Sequence, residues 1–444
     1  MSTKISRREF FRQTAILGGS VGAVALLNAC GAPVTVAPTL APNTPAAGFS
    51  GAKLDFATLT FFKPSLNLFL QAFASGWAGA NQANVNVSRN TLEELVQKSS
   101  TMAQTGVGPD LFAQPMQTPS LYPNAFVDLS DICQELDKRD GPFTKASQAY
   151  AKVDGVWRGI PWQDWPSPWN YRADYFEKAG WSKFPDTMDE LLACAKDMKK
   201  FGKPIGLTMG HAPSDGARNM YAILWAFGAQ EVDETGTKLM IDSQQTADAL
   251  TYMQQLFPNL HDGVLSWMDP SNNQAFLADT CSAIINTDTA YISARDQKLP
   301  FASAIRHAPQ PQGPGGRPAY QEGMSLGINA KSKNIGAAKA ILRLFFEPGN
   351  FGAWLKEAEA YAIAPLAKYQ ADEYMPADPV LKPVAKMVAD GRMPGWPGPF
   401  TPKAAEALNK FIIIDMMAKA AQGQNVKDVI AWGVNEYKQI YKTT

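Results

Sequence analysis

Hydrophobic and polar positions change their spacing repeatedly along the chain from Leu54 onward. The segment LDFATLTFF has the pattern of a strand, and SLNLFLQAFASGWAG repeats its apolar residues at helical spacing. The short run NVNVS alternates as a second strand does, and TLEELVQKSSTMAQTG returns to the helical period. Strands that alternate with helices in this order predict an α/β fold.

Two helix starts carry a further signal, the capping box. Thr91 and Glu94 stand three residues apart at the head of one apolar-periodic segment, and Thr187 and Glu190 do so at the head of another. In this motif the threonine oxygen accepts from a free backbone N–H, and the glutamate reaches back to the N-cap. The sequence therefore predicts helices that begin at both places, the first of which ends near Gly106.

Later segments continue the alternation of strands and helices. The predicted strands are PIGLTMG, KLMID and residues 282–286. The predicted helices are RNMYAILWAFGAQ, SQQTADALTYMQQLF, AAKAILRLFFEPG, which Pro348 and Gly349 should stop, and ALNKFIIIDMMAKAAQG. No internal repeat interrupts this order.

One stretch, GIPWQDWPSPWNYRADYF at residues 159–176, differs from its surroundings. It holds four aromatic rings within ten residues, Trp162, Trp165, Trp169 and Tyr171, and three prolines break it. Proline fixes its own backbone and keeps the preceding residue extended. The composition shift at residues 155–170 therefore favours a crossing between domains.

The N-terminus is a targeting segment and not part of the fold. Residues 15–27 are apolar but number only 13, whereas a spanning helix needs about 20. The motif that includes Arg7 and Arg8 resembles the twin-arginine export signal, and LNAC, which ends at Cys30, resembles a bacterial lipobox. This resemblance implies a signal peptide at 1–29, a lipid on Cys30, and a Pro/Ala/Thr-rich spacer over the rest of 30–52.

Composition limits the classes of function. The chain has 444 residues with 45% hydrophobic and 18% charged content, which suits a soluble protein of two or three domains. Lys+Arg and Asp+Glu number 41 each, so no global basic field attracts nucleic acid. Besides Cys30 there are Cys133, Cys194 and Cys281. Their odd number favours buried free thiols over one disulfide with a third, free thiol.

Motifs for metal, phosphate or covalent chemistry are absent from the sequence. The histidines His211, His261 and His307 lack zinc-ligand spacing, and GPGGRP lacks the Lys-Ser/Thr ending of a phosphate loop. DPSNNQ begins as a calcium loop does, but the twelfth residue is Thr280 and not an acid. We expect no cofactor, no metal and no enzymatic activity, although paired carboxylates distant in sequence can hydrolyse glycosides.

Tryptophans near polar and acidic residues suit sugar binding. The C–H faces of a pyranose pack on aromatic rings, and its hydroxyls need amides and carboxylates in fixed directions. Beyond residues 159–176, the candidate rings are Trp225, Trp267, Tyr291, Trp354 and Trp396. Each of them is also compatible with core packing, and Trp225 and Trp354 lie in helical patterns.

A succession of segments resembles the extracellular solute-binding proteins of family 1, the maltose-binding-protein-like receptors of ABC importers. It includes GVGPDLFAQ, VDGVWRGIPW, NYRADYFEKAGWSKFPDTMDELLACAKDM, AFLADTCSAIINTDTAY and GMSLGINAKSKNIGAAKAILRLFF. The resemblance covers roughly residues 53–440. It implies two α/β lobes with a hinge and an interlobe cleft, with 53–160 plus 295–330 in lobe 1 and 161–294 plus 331–444 in lobe 2.

By position, the resemblance implies ligand contacts at Gln114, Trp162, Asp164, Trp165, Asp288, Tyr291 and Glu322. The sequence departs from the family at two places. Thr287-Asp288-Thr289 stands where Gly-x-Trp is usual, and Arg172 stands where asparagine is common.

The leading functional expectation is a monomeric receptor that captures an uncharged mono- to oligosaccharide for an ABC importer permease. Lipidated Cys30 would tether it to the outer face of the cytoplasmic membrane, its only membrane contact. Three alternatives stay open: an exported glycan-acting hydrolase or lyase that uses carboxylates such as Asp164 and Asp288, a receptor of the same fold for a non-sugar solute, and a surface sensing module.

Overall fold

The computed structural model describes residues 48–385, 387 and 391–442. The predictions for Arg7, Arg8, Cys30 and most of the spacer lie outside these residues. Within the described part, none of the helices is both long and apolar enough to cross a membrane.

Short strands and longer helices follow one another along the described chain. The strands are β1 (Lys53–Leu59), β2 (Asn84–Asn90), β3 (Leu111–Pro115), β4 (Lys152–Val153), β5 (Val156–Trp157), β6 (Ile160–Trp165), β7 (Trp169–Arg172), β8 (Ile205–Gly206), β9 (Ala283–Ile285), β10 (Ile305–Ala308) and β11 (Glu322–Ile328). The helices as far as β10 are α1 (Pro64–Ala80), α2 (Leu92–Thr105), α3 (Thr118–Leu121), α4 (Ser130–Asp140), α5 (Lys145–Ala151), α6 (Ala173–Lys178), α7 (Met188–Lys200), α8 (Asp215–Ala226), α9 (Gln244–Leu256), α10 (Ser271–Leu277) and α11 (Thr289–Asp296). After β11 come α12 (Ile335–Phe345), α13 (Pro348–Ala358), α14 (Lys382–Ala385), α15 (Pro402–Asn409), α16 (Ile412–Ala421) and α17 (Val426–Tyr441).

The first lobe is built on a five-stranded sheet in the order β2-β1-β3-β11-β6. β1 pairs in parallel with β2 and β3, and β11 runs antiparallel to β3 and β6. β3, β6 and β11 are buried along their whole length, because helices such as α1, α2 and α12 cover the sheet. The predicted α/β fold is confirmed here.

The second lobe combines a four-stranded sheet, in the order β10-β7-β9-β8, with packed helices. α16 packs against α8, α9 and α17 and forms the centre of this helical layer. Both predicted capping boxes are present: Thr91 accepts from the N–H of Glu94 in the first lobe, and Thr187 accepts from that of Glu190 in the second. α2 ends at Gly106 in the left-handed conformation, at φ 71°, as its sequence predicts.

The chain crosses from the first sheet to the second between β6 and β7. Only residues 166–168, Pro-Ser-Pro, separate Trp165 at the end of β6 from Trp169 at the start of β7. The chain changes sheets within the aromatic stretch, but β6 pairs with β11, so residues 161–165 lie with the first sheet and not with the predicted lobe 2. Proline lacks the N–H that would extend a strand ladder, which explains why pairing stops at this point.

Two later segments are grouped differently from the predicted lobe boundaries. β10 pairs antiparallel with β7, so Ile305–Ala308 belongs to the second sheet and not to the predicted lobe 1 segment 295–330. α12 packs on β11 and α1, and α13 packs on α1, so Ile335–Phe345 and Pro348–Ala358 lie with the first sheet and not with lobe 2. Strand pairing decides the first grouping and helix packing the second, and both involve residues that are far apart in sequence.

Some predicted elements have different limits. PIGLTMG forms a strand only at Ile205–Gly206, and KLMID forms an isolated bridge at Leu239. Pro348 occupies the first turn of α13 and so begins a helix as well as ending one. The last predicted helix is two helices, α15 and α16, which are separated where Phe411 adopts a left-handed φ of 57°.

Cys133, Cys194 and Cys281 are buried free thiols. Burial raises the pKa of Cys194 to about 12 and raises those of the other two well above the usual range. A thiol held neutral in this way reacts slowly, because the thiolate is the nucleophile.

Candidate functional site

A cavity of about 380 Å³ lies between the two lobes. The first lobe contributes Leu59, Thr60, Phe61, Phe62, Thr91, Leu92, Glu93, Trp165 and Tyr361. The second lobe contributes Ser214, Asp215, Arg218, Asp269, Pro270, Asn273, Asn286, Thr287 and Thr289. The volume of the cavity lies within the range of about 300–1,000 Å³ that is typical of small-molecule sites.

The fold places these residues at element ends. Residues 60–62 and 91–93 follow the carboxyl ends of the parallel strands β1 and β2, where open α/β sheets generally bind ligands. On the facing lobe, the lining comes from the start of α8, the start of α10 and the turn between β9 and α11. Because these residues lie in loops and at helix ends, their side chains can point into the cavity.

Aromatic rings form one wall of the cavity. Trp165 stacks with Tyr361 at a centroid distance of 6.4 Å and an interplanar angle of 14°. Phe61 meets Tyr361 edge to face at 5.9 Å. Ring contacts of this kind hold the side chains in fixed orientations, so the wall is largely formed before a ligand enters.

Arg218 is the centre of a buried polar network that joins the lobes. Its Nη2 donates to Glu322 Oε2 on β11 at 2.8 Å and to Ser214 Oγ at 3.1 Å. Its Nη1 donates to Asp215 Oδ1 at 2.8 Å and to Asn286 Oδ1 at 3.2 Å. The side chain is only 1% exposed. Since Glu322 belongs to the first sheet and Arg218 to the second lobe, the ion pair ties the two together.

Amide side chains complete the hydrogen bonding of Asp215. Its Oδ2 accepts from Asn272 Nδ2 at 2.8 Å and from Asn286 Nδ2 at 3.0 Å. Burial nevertheless raises the pKa of Asp215, and Glu322 adds to the rise while Arg218 opposes it. Burial likewise raises the pKa of Glu322 against the effect of Arg218.

Four buried polar atoms of the lining have no hydrogen-bond partner within the described residues. Two are donors, Trp165 Nε1 and Arg218 Nε, and two are acceptors, Asn273 Oδ1 and Asp269 Oδ2. A buried polar group without a partner costs about 1–3 kcal/mol. Donors and acceptors left open in one cavity indicate a polar ligand that would satisfy them.

Of the residues predicted from sequence, the structure brings Trp165 to the cavity and places Glu322 in direct contact with two of its lining residues. The other predicted residues do not line it. Trp162 stacks on Trp354 at 5.0 Å within the first core, and Trp225 stacks on Tyr320 at 5.9 Å within the second lobe. Both tryptophans are fully buried, so core packing accounts for them.

Four further predicted residues also serve the fold. Gln114 accepts from Ser325 Oγ at 2.7 Å, between β3 and β11. Trp267 is buried beside His261, at a ring distance of 4.9 Å. Trp396 lies under the guanidinium of Arg392, and Tyr291 donates to Asp378 Oδ2 at 2.8 Å. Each side chain is occupied by a contact away from the cavity lining.

The two predicted aspartates are buried and are not among the lining residues of the cavity. Asp164 Oδ1 accepts from Tyr150 OH at 2.9 Å, and burial raises the pKa of Asp164 to about 7. A Cβ added at Gly323 would lie 2.4 Å from that carboxylate, so the neighbouring strand needs glycine there. Asp288 lies between the lining residues Thr287 and Thr289 but does not itself line the cavity.

Most polar lining residues were not predicted. DPSNNQ supplies Asp269 and Asn273, although its sequence pattern resembles only the start of a calcium loop. Phe61 and Phe62 are the last residues of the predicted strand LDFATLTFF, and the general position of ligand sites at strand ends is a signal that points to them. Arg218 is the first residue of the predicted helix RNMYAILWAFGAQ and offers no such signal.

Comparison with known proteins gives the family. Residues 71–383, more than half of the chain, match the family described as bacterial extracellular solute-binding protein. The chain belongs to this family. The family resemblance and the extracellular class inferred from sequence are thereby confirmed.

One curated relative of this solute-binding protein is a probable ABC transporter-binding protein of Deinococcus radiodurans. It is 26% identical over 200 residues, which are 43% of this chain and 47% of the relative. The match thus spans about half the length of that relative.

Solved structures show the same fold. Maltose-bound MalE3 of T. maritima has a TM-score of 0.76 at 20% identity, over 88% of this chain and 100% of the other. A sugar transporter from Arthrobacter chlorophenolicus with bound laminaribiose has a TM-score of 0.74 at 16% identity, over 88% and 99%. The solute-binding protein therefore has the two-lobed fold of periplasmic binding proteins, as its sequence predicts.

Proposed function

We propose that the protein is an extracytoplasmic receptor that binds a carbohydrate, a mono- to oligosaccharide, in the interlobe cavity and delivers it to an ABC importer. The observation that carries this proposal is the pairing of the Trp165–Tyr361 wall with open hydrogen-bonding atoms. A sugar presents apolar C–H faces to such rings and hydroxyls that both donate and accept.

The position of the cavity supports a receptor that closes on its ligand. Both lobes contribute lining residues, so a ligand touches both only when they approach each other. A ligand shifts a conformational equilibrium by its differential affinity for the two states. Closed and loaded, the protein would present the form that a permease recognises.

The relatives support the same proposal. Proteins of this fold are described with maltose and with laminaribiose, and the Deinococcus relative is described as an ABC transporter-binding protein. Transfer of these properties to this chain is our proposal. It is tested by binding measurements with the protein itself.

A panel of sugars and glycosides tests the substrate class. We expect one or more to raise the melting temperature, since a ligand at 100 times its dissociation constant adds about 2.7 kcal/mol of stability. NMR of the same mixtures separates binding from hydrolysis, because a receptor returns its ligand unchanged. The proposal fails if no sugar in the panel stabilises the protein, or if the sugar is turned over at catalytic protein levels.

Trp165 is the aromatic residue that we expect to contribute most to ligand affinity. Trp165→Ala removes the stacking surface and should weaken binding about 10- to 100-fold, the order of a lost aromatic anchor. Trp165→Phe keeps a ring but lacks Nε1, so we expect a smaller loss. Isothermal titration calorimetry with the best sugar of the panel measures both.

Trp225→Phe is the matched control for the loss of an indole N–H. Within the described part of the chain, Trp225 Nε1 is also buried without a hydrogen-bond partner, but its ring packs on Tyr320 away from the lining. Affinity should not change in this variant. If Trp225→Phe weakens binding as much as Trp165→Phe does, the site does not lie where we place it.

Membrane anchoring through Cys30 is the second part of the proposal, and it rests on the lipobox-like LNAC sequence. Cys30→Ser removes the thiol that would carry the lipid, so the variant should move from the membrane fraction to the soluble extracytoplasmic fraction. Fractionation followed by immunoblotting measures this. Retention of Cys30→Ser on membranes would contradict a lipid anchor at this residue.

A further inference from the structure

The cavity contains more acidic than basic side chains. Its lining includes the carboxylates of Glu93, Asp215 and Asp269 but a single cation, Arg218. Arg218 already pairs with Asp215 and with Glu322, each at 2.8 Å. Within the described residues, Glu93 and Asp269 have no ion-pair partner, so the cavity has more carboxyl groups than cations to pair with them.

The two unpaired acids come from opposite lobes. Glu93 lies in the first turn of α2, and Asp269 lies just before α10. Asp269 Oδ1 accepts from the backbone N–H groups of Asp215 at 2.8 Å and Ser214 at 3.2 Å, which fixes the carboxylate while Oδ2 stays open. Like charges brought together by closure repel each other, and they do so more strongly as water leaves.

A separate observation points to a ligand at the same place. Asn273 is 3% exposed, and its Oδ1 has no hydrogen-bond partner within the described residues. Trp165, which is 5% exposed, presents its ring to the same cavity. An ammonium group donates three hydrogen bonds and is attracted to an aromatic face. Acceptors, a ring and unpaired carboxyl groups therefore meet in one small volume.

We infer that the ligand carries an ammonium group, as an amino sugar does, and that this group binds between Glu93 and Asp269 and so bridges the two lobes. This inference rests on the proposed sugar-binding function and departs from the uncharged sugar expected from sequence. A polyamine shares the ammonium chemistry, and the experiment below separates the two sources.

Electrostatics within the cavity agree with this assignment. Burial raises the pKa of Asp269 well above its usual range, and repulsion by Asp215 and Glu93 raises it further. Without a ligand, protons relieve the crowding of negative charge in the closed cavity. A bound cation would take over that role.

Sugars matched in skeleton but not in charge test the inference. Glucose, galactose, mannose and cellobiose are each titrated beside the counterpart with an amine at C2, the last being fully deacetylated chitobiose. Spermidine supplies ammonium groups without a sugar. We expect at least one amino sugar to bind about 10-fold tighter than its neutral counterpart in calorimetry at pH 7, with a preference that shrinks as salt screens the charges.

Two variants of the purified protein locate the effect. Glu93→Gln keeps the size of the side chain but removes its charge, so the ratio of amino-sugar to neutral-sugar affinity should fall toward one. Glu177→Gln changes an exposed glutamate outside the cavity lining and should keep the wild-type ratio. Circular dichroism confirms that both variants are folded.

The outcomes separate this inference from the proposed function. Neutral sugars that bind as tightly as their amines, or a ratio that Glu93→Gln leaves unchanged, would overturn the ammonium assignment while the sugar-binding proposal stands. Binding of spermidine with no sugar of either kind would support the ammonium site and overturn the sugar. If no amine in the set binds, the inference is wrong.

Discussion

Arg218→Met should lower the free energy of unfolding by about 3 kcal/mol, the loss typical when one partner of a buried ion pair is removed. The guanidinium is 1% exposed and donates to both Asp215 and Glu322. Methionine fills part of the volume but leaves two buried carboxylates without their cation. Urea denaturation at pH 7, followed by tryptophan fluorescence, measures the change.

Ligand affinity should fall in the same variant. Arg218 lines the cavity, and its bond to Glu322 ties the second lobe to the first sheet. Without that tie, the closed form loses stability relative to the open one, and a ligand that needs both lobes binds more weakly. Calorimetry with the sugar chosen from the panel measures this second effect.

Arg317→Met controls for the substitution itself. Arg317 pairs with Asp186 at the surface, where the two side chains are 30% and 57% exposed, so its loss should change stability by less than about 1 kcal/mol. A second variant, Arg218→Met with Glu322→Gln, removes one of the stranded charges and should recover part of the loss. A single Arg218→Met variant as stable as wild type would show that the network does not hold the lobes.

Local sequence patterns predicted the elements whose signals are local. The capping boxes of Thr91 and Thr187 are present, and α2 ends at Gly106, because the residues that form each motif are within a turn of one another. The predicted boundaries of the lobes were less accurate. Pairing of β10 with β7 joins segments more than a hundred residues apart, and no local pattern encodes it.

Strand alternation in the aromatic stretch, residues 159–176, distinguishes the tryptophan that faces the core from the one that faces the cavity. Side chains alternate between the two faces of a strand, so Trp162 and Trp165, three positions apart on β6, point to opposite sides. Trp162 accordingly packs on Trp354 in the core, and Trp165 reaches the cavity. The number of rings in the stretch predicts both tryptophans at the ligand site, whereas strand alternation allows only one of them to face the cavity.

The polar residues of the site could not be grouped from the sequence, because they are far apart along the chain. The bond from Arg218 to Glu322 spans 104 residues, and that from the N–H of Asp215 to Asp269 spans 54. An arginine at the start of a predicted helix and an aspartate in a loop can have many roles, and solvation favours the surface for both. Only the folded arrangement reveals that they share one buried cavity.

Asp288→Asn is expected to stabilise the protein at alkaline pH and to flatten its dependence on pH. Asp288 is fully buried, and neither of its carboxylate oxygens has a hydrogen-bond partner within the described residues. Burial, with added repulsion from Glu359, raises the pKa of Asp288 to about 8. An asparagine of similar size is neutral at every pH, so it avoids the buried charge.

The direction in which stability changes with pH follows from the proton that Asp288 binds in the folded protein. Between about pH 4 and pH 8 the folded protein holds a proton on Asp288 that the unfolded chain has released, since a free aspartate titrates near 3.9. Stability of the wild type therefore falls as pH rises through this window, by at most about 1.4 kcal/mol per pH unit from this residue. Asp288→Asn should match the wild type near pH 4 and exceed it by about 2 kcal/mol or more at pH 8.

Urea denaturation of both proteins from pH 4 to pH 8.5 tests this, and the difference between the two curves isolates Asp288. Other buried acids, such as Asp164 and Glu231 with pKa values raised to about 7 by burial, contribute equally to both proteins and cancel. Asp248→Asn, at an exposed position on α9, should leave the curve of the wild type unchanged. If Asp288→Asn is less stable than the wild type at pH 8, the carboxylate is ionised in the folded protein and a partner in solution stabilises its charge.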